Sequence, residues 1–238
     1  PETDTWSPRG DFPGPQTRLG WGCSLNGTGY VCLRSLSPVG QRFWAYDPLT
    51  DSWTSKADPP SGSGVDGHLV VLGGVIHHIG DNGTVWAYDV AMDEWMPRAN
   101  RGASIQWPQV FTLAGRAYTV SGLGTMGPVD DIHRYDPVMD QWDELTLFTP
   151  QARTQGFAFV LDDRAYVGSG LGGGPTTTYF SDVWSTIDLS TNVELPIGPP
   201  STSIHAAQGA VYVHTTVEGP HRLDIYDARG ALLTTRSW

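Results

Sequence analysis

Short runs of alternating apolar and polar residues recur along the chain, each closed by glycine, proline, asparagine or aspartate. Typical are HLVVLGGVIHHIG (68–80), QVFTLAGRAYTV (109–120), GFAFVLDDRAYVG (156–168) and SIHAAQGAVYVH (203–214). GWGCSLNGTGYVC (20–32) follows the same plan. A period of two puts every other side chain on one face of an extended strand. Each run therefore reads as a strand, a polar turn of two to four residues, and a second strand, usually carrying a Tyr. No stretch sustains a period of 3.6, so essentially no helix is expected.

A second motif follows each hairpin: FWAYDPLTDSW (43–53), VWAYDVAMDEW (85–95), IHRYDPVMDQW (132–142), STIDLSTNVEL (185–195) and LDIYDARGALL (223–233). The aligned anchors are Tyr46-Asp47, Tyr88-Asp89, Tyr135-Asp136, Ile187-Asp188 and Tyr226-Asp227, spaced by 42, 47, 52 and 39 residues. Trp53, Trp95 and Trp142 follow their tyrosines by seven positions. One repeat is thus four short strands: the hairpin, a strand ending in Tyr-Asp, and a strand opening with Trp. A single sheet of this size leaves both faces bare, and packing copies radially covers them. The expected fold is all-β, a β-propeller of four-stranded blades, in which these Tyr, Asp and Trp residues are structural.

The Tyr-Asp-Pro-x-x-Asp-x-Trp pattern, with glycines closing a preceding strand in Ser121-Gly122-Leu123-Gly124 and Ser169-Gly170-Leu171-Gly172, resembles the kelch repeat over nearly the whole chain. The first and fifth copies lack the Gly-Gly doublet of that family, and the fourth and fifth lack the Trp. Stretches such as Lys56-Ala57-Asp58-Pro59-Pro60 are similar to secreted kelch proteins of bacteria. The first residues, through Trp6, align with Pro48–Trp53, so the chain starts in mid-repeat. Six blades are expected, with five as the alternative, in one domain over 1–238. Residues 201–238 read either as a degenerate last blade or as the start of a C-terminal sorting-type β domain, resembling that of type IX secretion cargo.

Composition narrows the function. Lys and Arg number 14 against 25 Asp and Glu, a net charge of −11, and Lys56 is the single lysine. Without a basic cluster, neither nucleic acid nor an anionic membrane surface is an expected partner. No apolar stretch is long enough to span a bilayer as a helix, so no direct membrane insertion is expected. Gly122-Leu-Gly124-Thr-Met-Gly127 satisfies a dinucleotide fingerprint, but a strand follows it where that chemistry needs a helix N-terminus.

Cys23 and Cys32 flank the turn of the first hairpin on one face, so a disulfide is feasible in an oxidising compartment, and reduced core thiols are the alternative. His205 and His214 hold the corresponding positions of the fifth copy, without a third metal ligand at any telling spacing. Asp130-Asp131 and Asp162-Asp163 read as solvated turns at strand junctions. Asn26-Gly-Thr28 and Asn82-Gly-Thr84 are glycosylation sequons, and the turn preference of Asn-Gly accounts for both. No metal and no cofactor is called for.

The longest expected loops are Leu33–Arg42, Gly122–Asp131 and Gly170–Asp182. Tyr179 and Phe180, at the tip of the last, are the candidate contacts for a protein or glycan partner of a non-catalytic binding or scaffold module, extracellular or on the cell surface. A subunit of a larger membrane-associated or secreted assembly is one alternative. A second is an enzyme: the kelch resemblance extends to a copper oxidase with a Cys–Tyr crosslink and to a sialic-acid epimerase. The epimerase reading needs convergent groups at the central channel, for which Arg134, Arg153 and His133 are the candidates.

Overall fold

The computed structural model describes residues 5–37, 39–64, 66–145, 151–173 and 177–186, together with strands between 202 and 237. Two compact units divide the chain, Pro1–Ser190 and Thr191–Trp238. Among the described residues there is no helix.

The described part of the first unit holds four blades in succession. Blade one comprises β1 (Thr17–Leu25), β2 (Thr28–Leu36), β3 (Val39–Asp47) and β4 (Ser52–Ser55); blade two comprises β5 (Gly67–Leu72), β6 (Val75–Gly80), β7 (Val85–Asp89) and β8 (Glu94–Arg98). Blade three runs through β9 (Gln109–Leu113), β10 (Arg116–Gly124), β11 (Gly127–Asp136) and β12 (Gln141–Glu144). Blade four has β13 (Phe157–Leu161) and β14 (Arg164–Gly168), then a small ladder of β15 (Leu171–Gly172) and β16 (Thr178–Tyr179), and finally β17 (Val183–Ser185). The first three sheets are four-stranded antiparallel meanders, and β13-β14-β17 is three-stranded. The innermost strands lie side by side, β1 against β5, β5 against β9, and β9 against β13. These are the radially packed blades that the repeat implies, and four are visible in the described part.

Three apolar clusters sit between successive blades. Tyr30, Cys32, Phe43 and Ala45 of blade one meet Leu69, Ile76 and Tyr88 of blade two. Val70, Leu72, Ile79 and Val85 meet Ala117 and Tyr135. Phe111, Leu113, Tyr118 and Val120 meet Ala165 and Val167. Because the side-chain period is two, one strand supplies both neighbours: Ile76 faces one cluster and Ile79 the other.

The recurring Tyr-Asp anchors do two distinct jobs, repeated in three blades. Asp47, Asp89 and Asp136 cap the β3–β4-type turn by accepting backbone N–H groups, from Leu49, from Ala91 and Met92, and from Val138 and Met139. The tyrosine hydroxyl goes instead to the aspartate five residues on: Tyr46 to Asp51, Tyr88 to Asp93, and Tyr135 to Asp140 at 2.7 Å. These second aspartates sit at φ 52°, 54° and 50°, a left-handed turn that Asp tolerates better than most side chains. Each also accepts the N–H of one connector residue: Gly10 at 2.8 Å, Ala57 at 2.9 Å and Ala99 at 2.9 Å. The indole N–H of the following Trp donates to the carbonyl of that same residue, Trp53 to Gly10, Trp95 to Ala57 and Trp142 to Ala99, at 2.7–2.9 Å. One Asp-x-Trp therefore grips both backbone polar groups of a single residue. Ala57 and Ala99 belong to the connectors leaving the preceding blade.

Several expectations need adjustment. Leu33–Arg42 and Gly122–Asp131 are not open loops: β2 continues to Leu36 and β3 resumes at Val39, while β10 and β11 extend to a tight turn between Gly124 and Gly127. Pairing across the hairpin satisfies backbone groups that a loop would leave to solvent. Asp130 and Asp131 lie inside β11 and not at a junction, whereas Asp162 and Asp163 form the β13–β14 turn with positive φ. The β14–β17 register sets Ser185 opposite Tyr166, so Thr186 takes the place that Tyr holds in other blades; Ile187 and Asp188 lie outside the described residues.

The second unit contains two hairpins, β18 (Thr202–Ala207) with β19 (Ala210–Thr215), and β20 (Arg222–Tyr226) with β21 (Leu232–Ser237). His205 pairs across the ladder with Tyr212, and His214 with Ser203, so the two histidines are diagonal.

Candidate functional site

In each meander the turn between the first two strands and the turn between the last two lie at one end. The connection between the second and third strands, and the connector to the next blade, lie at the other. This second end carries the variable segments. Blade one presents Leu36 and Val39, blade three presents Met126 at the β10–β11 tip, and blade four presents Tyr179 on β16. Met126 is fully exposed and Tyr179 is 80% exposed.

The support beneath Tyr179 is well ordered by bonds. Arg153, wholly buried, donates to both carboxylate oxygens of Asp182, at 2.6 and 3.0 Å, and to the carbonyl of Ser169 at 3.1 Å. Its guanidinium lies 4.4 Å from the centroid of the Phe180 ring. The hydrogen bonds from Arg153, outweighing burial, hold the Asp182 carboxyl down at about 2. The Arg153 amide donates to Ser121 Oγ, which itself donates to the Val129 carbonyl, tying this connector to the blade-three hairpin. Thr154 pairs with Leu171 as an isolated bridge. A groove of about 270 Å³ runs beside these elements, lined by Met126, Gly127, Pro128, Gln151, Ala152 and Gly173.

Nearer the inner strands, Trp21, Asp66, His68, Asp81 and Trp107 surround a cavity of about 10 Å³, room for a single water. Arg34 reaches both oxygens of Asp66 at 3.3 and 3.4 Å. Burial, with Arg101 nearby, pushes His68 down to about 4. Burial does the same to His78, also to about 4. Arg101 is itself buried, its charge opposed by desolvation and favoured by Asp81, which leaves it at about 10.

No family model matches the chain. Over 225 residues, 90% of this chain, it is 26% identical to Kelch-like protein 35 of Mus musculus, of whose length it spans 37%. The solved structure of YjhT matches with a TM-score of 0.65 at 15% identity, over 76% of this chain and 72% of that one. The fold is a kelch-type β-propeller.

Within that kelch frame the sequence candidates separate. Tyr179 is displayed, and Phe180 is folded back against Arg153 and Gly172. Arg134 and His133, neighbours on β11, point to opposite faces of the blade and sit on its third strand, away from the inner strands. Arg134 donates twice to Asp143 on β12, at 2.7 and 3.2 Å, and His133 is buried beside Thr119 with Nδ1 unbonded. Arg153 is committed to Asp182. Among the described residues the three have separate surroundings.

Cys23 and Cys32 are free thiols. The turn between them is the two-residue Asn26-Gly27, so they lie diagonally: Cys23 faces Tyr30 and Cys32 faces Trp21. Burial raises Cys23 to about 11 and Cys32 to about 12, the second with Asp58 contributing, so neither is a ready nucleophile. The sequence offers Arg153 only as a channel candidate and gives no sign of its pairing with Asp182, nor of the clamp made by the second aspartate of each motif. The Asp-x-Trp recurrence in three copies was the available signal for the aspartates; the buried Arg153 pair has no periodic signature.

Proposed function

We propose that this kelch propeller is a non-catalytic binding module, displayed outside the cell or on its surface, that engages a protein or glycan partner through the end carrying Tyr179. The observation that carries this reading is the contrast at blade four. Tyr179 is held out in solvent while Arg153, Asp182 and Phe180 fix the backbone beneath it. An exposed aromatic on a rigid base loses little conformational entropy when it is covered, which is the property of an interface anchor. Met126 adds a second apolar tip beside the groove.

A specific feature also favours the assembly reading. At the opposite end, the turns following Asp47 and Asp136 present Leu49 and Val138, 94% and 89% exposed. Packing of that end against another subunit would cover them.

Site-specific photo-crosslinking separates the two. A benzophenone side chain at position 179 or 126 is expected to give a discrete adduct on the cell exterior, and one at 49 or 138 only background. Tyr179→Ala should remove binding of any glycan that the chain retains on an array. Adducts at 49 and 138 alone would replace the binding-module reading with the assembly reading.

A further inference from the structure

The chain carries Asn-Gly-Thr twice, at 26–28 and 82–84, and the structure gives the two copies different chemical surroundings. Asn26 and Gly27 are the two central residues of the β1–β2 turn, at φ 51° and 80°. Leu25 pairs with Thr28 around them, which leaves the peptide between Asn26 and Gly27 outside the ladder. Asn26 is exposed and makes no side-chain hydrogen bond among the described residues. Apart from its own chain neighbours, nothing lies within 4 Å of where a side chain on Gly27 would begin, so no packed group hinders rearrangement of this peptide.

Asn82 is held on every side. Its Nδ2 donates to the Gly62 carbonyl at 2.7 Å. Its Oδ1 accepts from the Thr84 hydroxyl at 2.7 Å and the Thr84 amide at 3.2 Å. The Gly83 N–H, the atom that would have to attack, donates to the Gly80 carbonyl at 3.0 Å.

We infer that Asn26 is a site of spontaneous backbone-directed deamidation in the folded protein and that Asn82, with the same local sequence, is protected. In the reaction the Gly27 nitrogen bonds to Asn26 Cγ, the Cγ–Nδ2 bond breaks, and ammonia leaves carrying the Gly27 proton. Water then opens the cyclic imide at either carbonyl, giving aspartate or isoaspartate. Glycine favours the first step because no side chain hinders the approach of its nitrogen. At Asn82 the same step would first break the Gly83 bond and the three bonds of the carboxamide. The product adds a carboxylate to the end of blade one opposite Tyr179, in a chain already at −11.

Incubation of the full folded chain in mildly alkaline buffer made with heavy-oxygen water, followed by peptide mapping, tests this. The expected result is aspartate and isoaspartate bearing one heavy oxygen at position 26, with the amide intact at 82. In guanidinium both sites should convert at similar rates, since the Asn-Gly-Thr triplets match, although the preceding residue, Leu25 or Asp81, differs. Persistence of the amide at 26 for as long as at 82 in the folded chain would overturn the inference, as would equal conversion at both.

Discussion

Asp93 accepts from two donors in different parts of the propeller, the Tyr88 hydroxyl within its own blade and the Ala57 amide of the connector from the blade before. Burial and this bond keep the Tyr88 hydroxyl protonated far above its ordinary range, while the bonds from Ala57 and then Tyr88 hold Asp93 below the usual carboxylate range. Removing the carboxylate leaves two donors unsatisfied. Asp93→Gly, which keeps the positive φ accessible, is expected to cost about 1–3 kcal/mol in denaturant unfolding. Trp95→Phe keeps the ring against Tyr88 and loses one N–H bond, so about 1 kcal/mol is expected. His78 supplies a pH test. Both ring nitrogens are buried and unbonded, and the folded protein holds it near 4, against about 6.5 when unfolded. The unfolded chain therefore binds more protons between those values, and stability should rise with pH across that window and fall as pH drops through it. The limiting slope is about 1.4 kcal/mol per pH unit for one such group. Blades one and four have Val31 and Val167 at this position, so His78→Val should flatten the slope contributed by this group in a pH series of unfolding curves.

At the scale of the strand and hairpin, the alternation of apolar and polar residues was enough to place the first two strands of each blade, because one-residue slippage would turn a core face to water. The same pattern predicts loops over Leu33–Arg42 and Gly122–Asp131, where the structure has paired strands. Their glycines, prolines and serines carry no alternation, yet backbone pairing carries both hairpins beyond the apolar face. The β15–β16 projection was legible as a variable segment with an aromatic tip. Its support was not, since Arg153 lies 29 residues from Asp182 and nothing in a local pattern couples them. Arg153→Met should therefore leave blades one to three unchanged and raise amide hydrogen exchange between 169 and 182. Unaltered exchange there would mean that the ion pair does not hold the projection. Asp182→Asn should produce a weaker version of the same change, because the amide still accepts one bond.

Across the described propeller, architecture takes up most of the aromatic residues that the sequence offers as candidate chemistry. Trp53, Trp95 and Trp142 grip connectors, and Tyr46, Tyr88 and Tyr135 brace the aspartates that do the same. What departs from the repeat is Met126, Tyr179 and the groove beside them, the features on which the proposed binding role rests. The frame can be constant because each clamp uses backbone groups of its target, which any residue except proline provides. Gly10, Ala57 and Ala99 are thus interchangeable as targets, and the surrounding loops are free to vary. The most direct test of this account is amide hydrogen exchange, read by NMR, at Gly10, Ala57 and Ala99. All three lie outside strands and would ordinarily exchange fast. The account predicts slow exchange at all three, with Ala57 alone released by Asp93→Gly. Rapid exchange at these amides in the unsubstituted protein, or simultaneous release of all three by that single change, would contradict it.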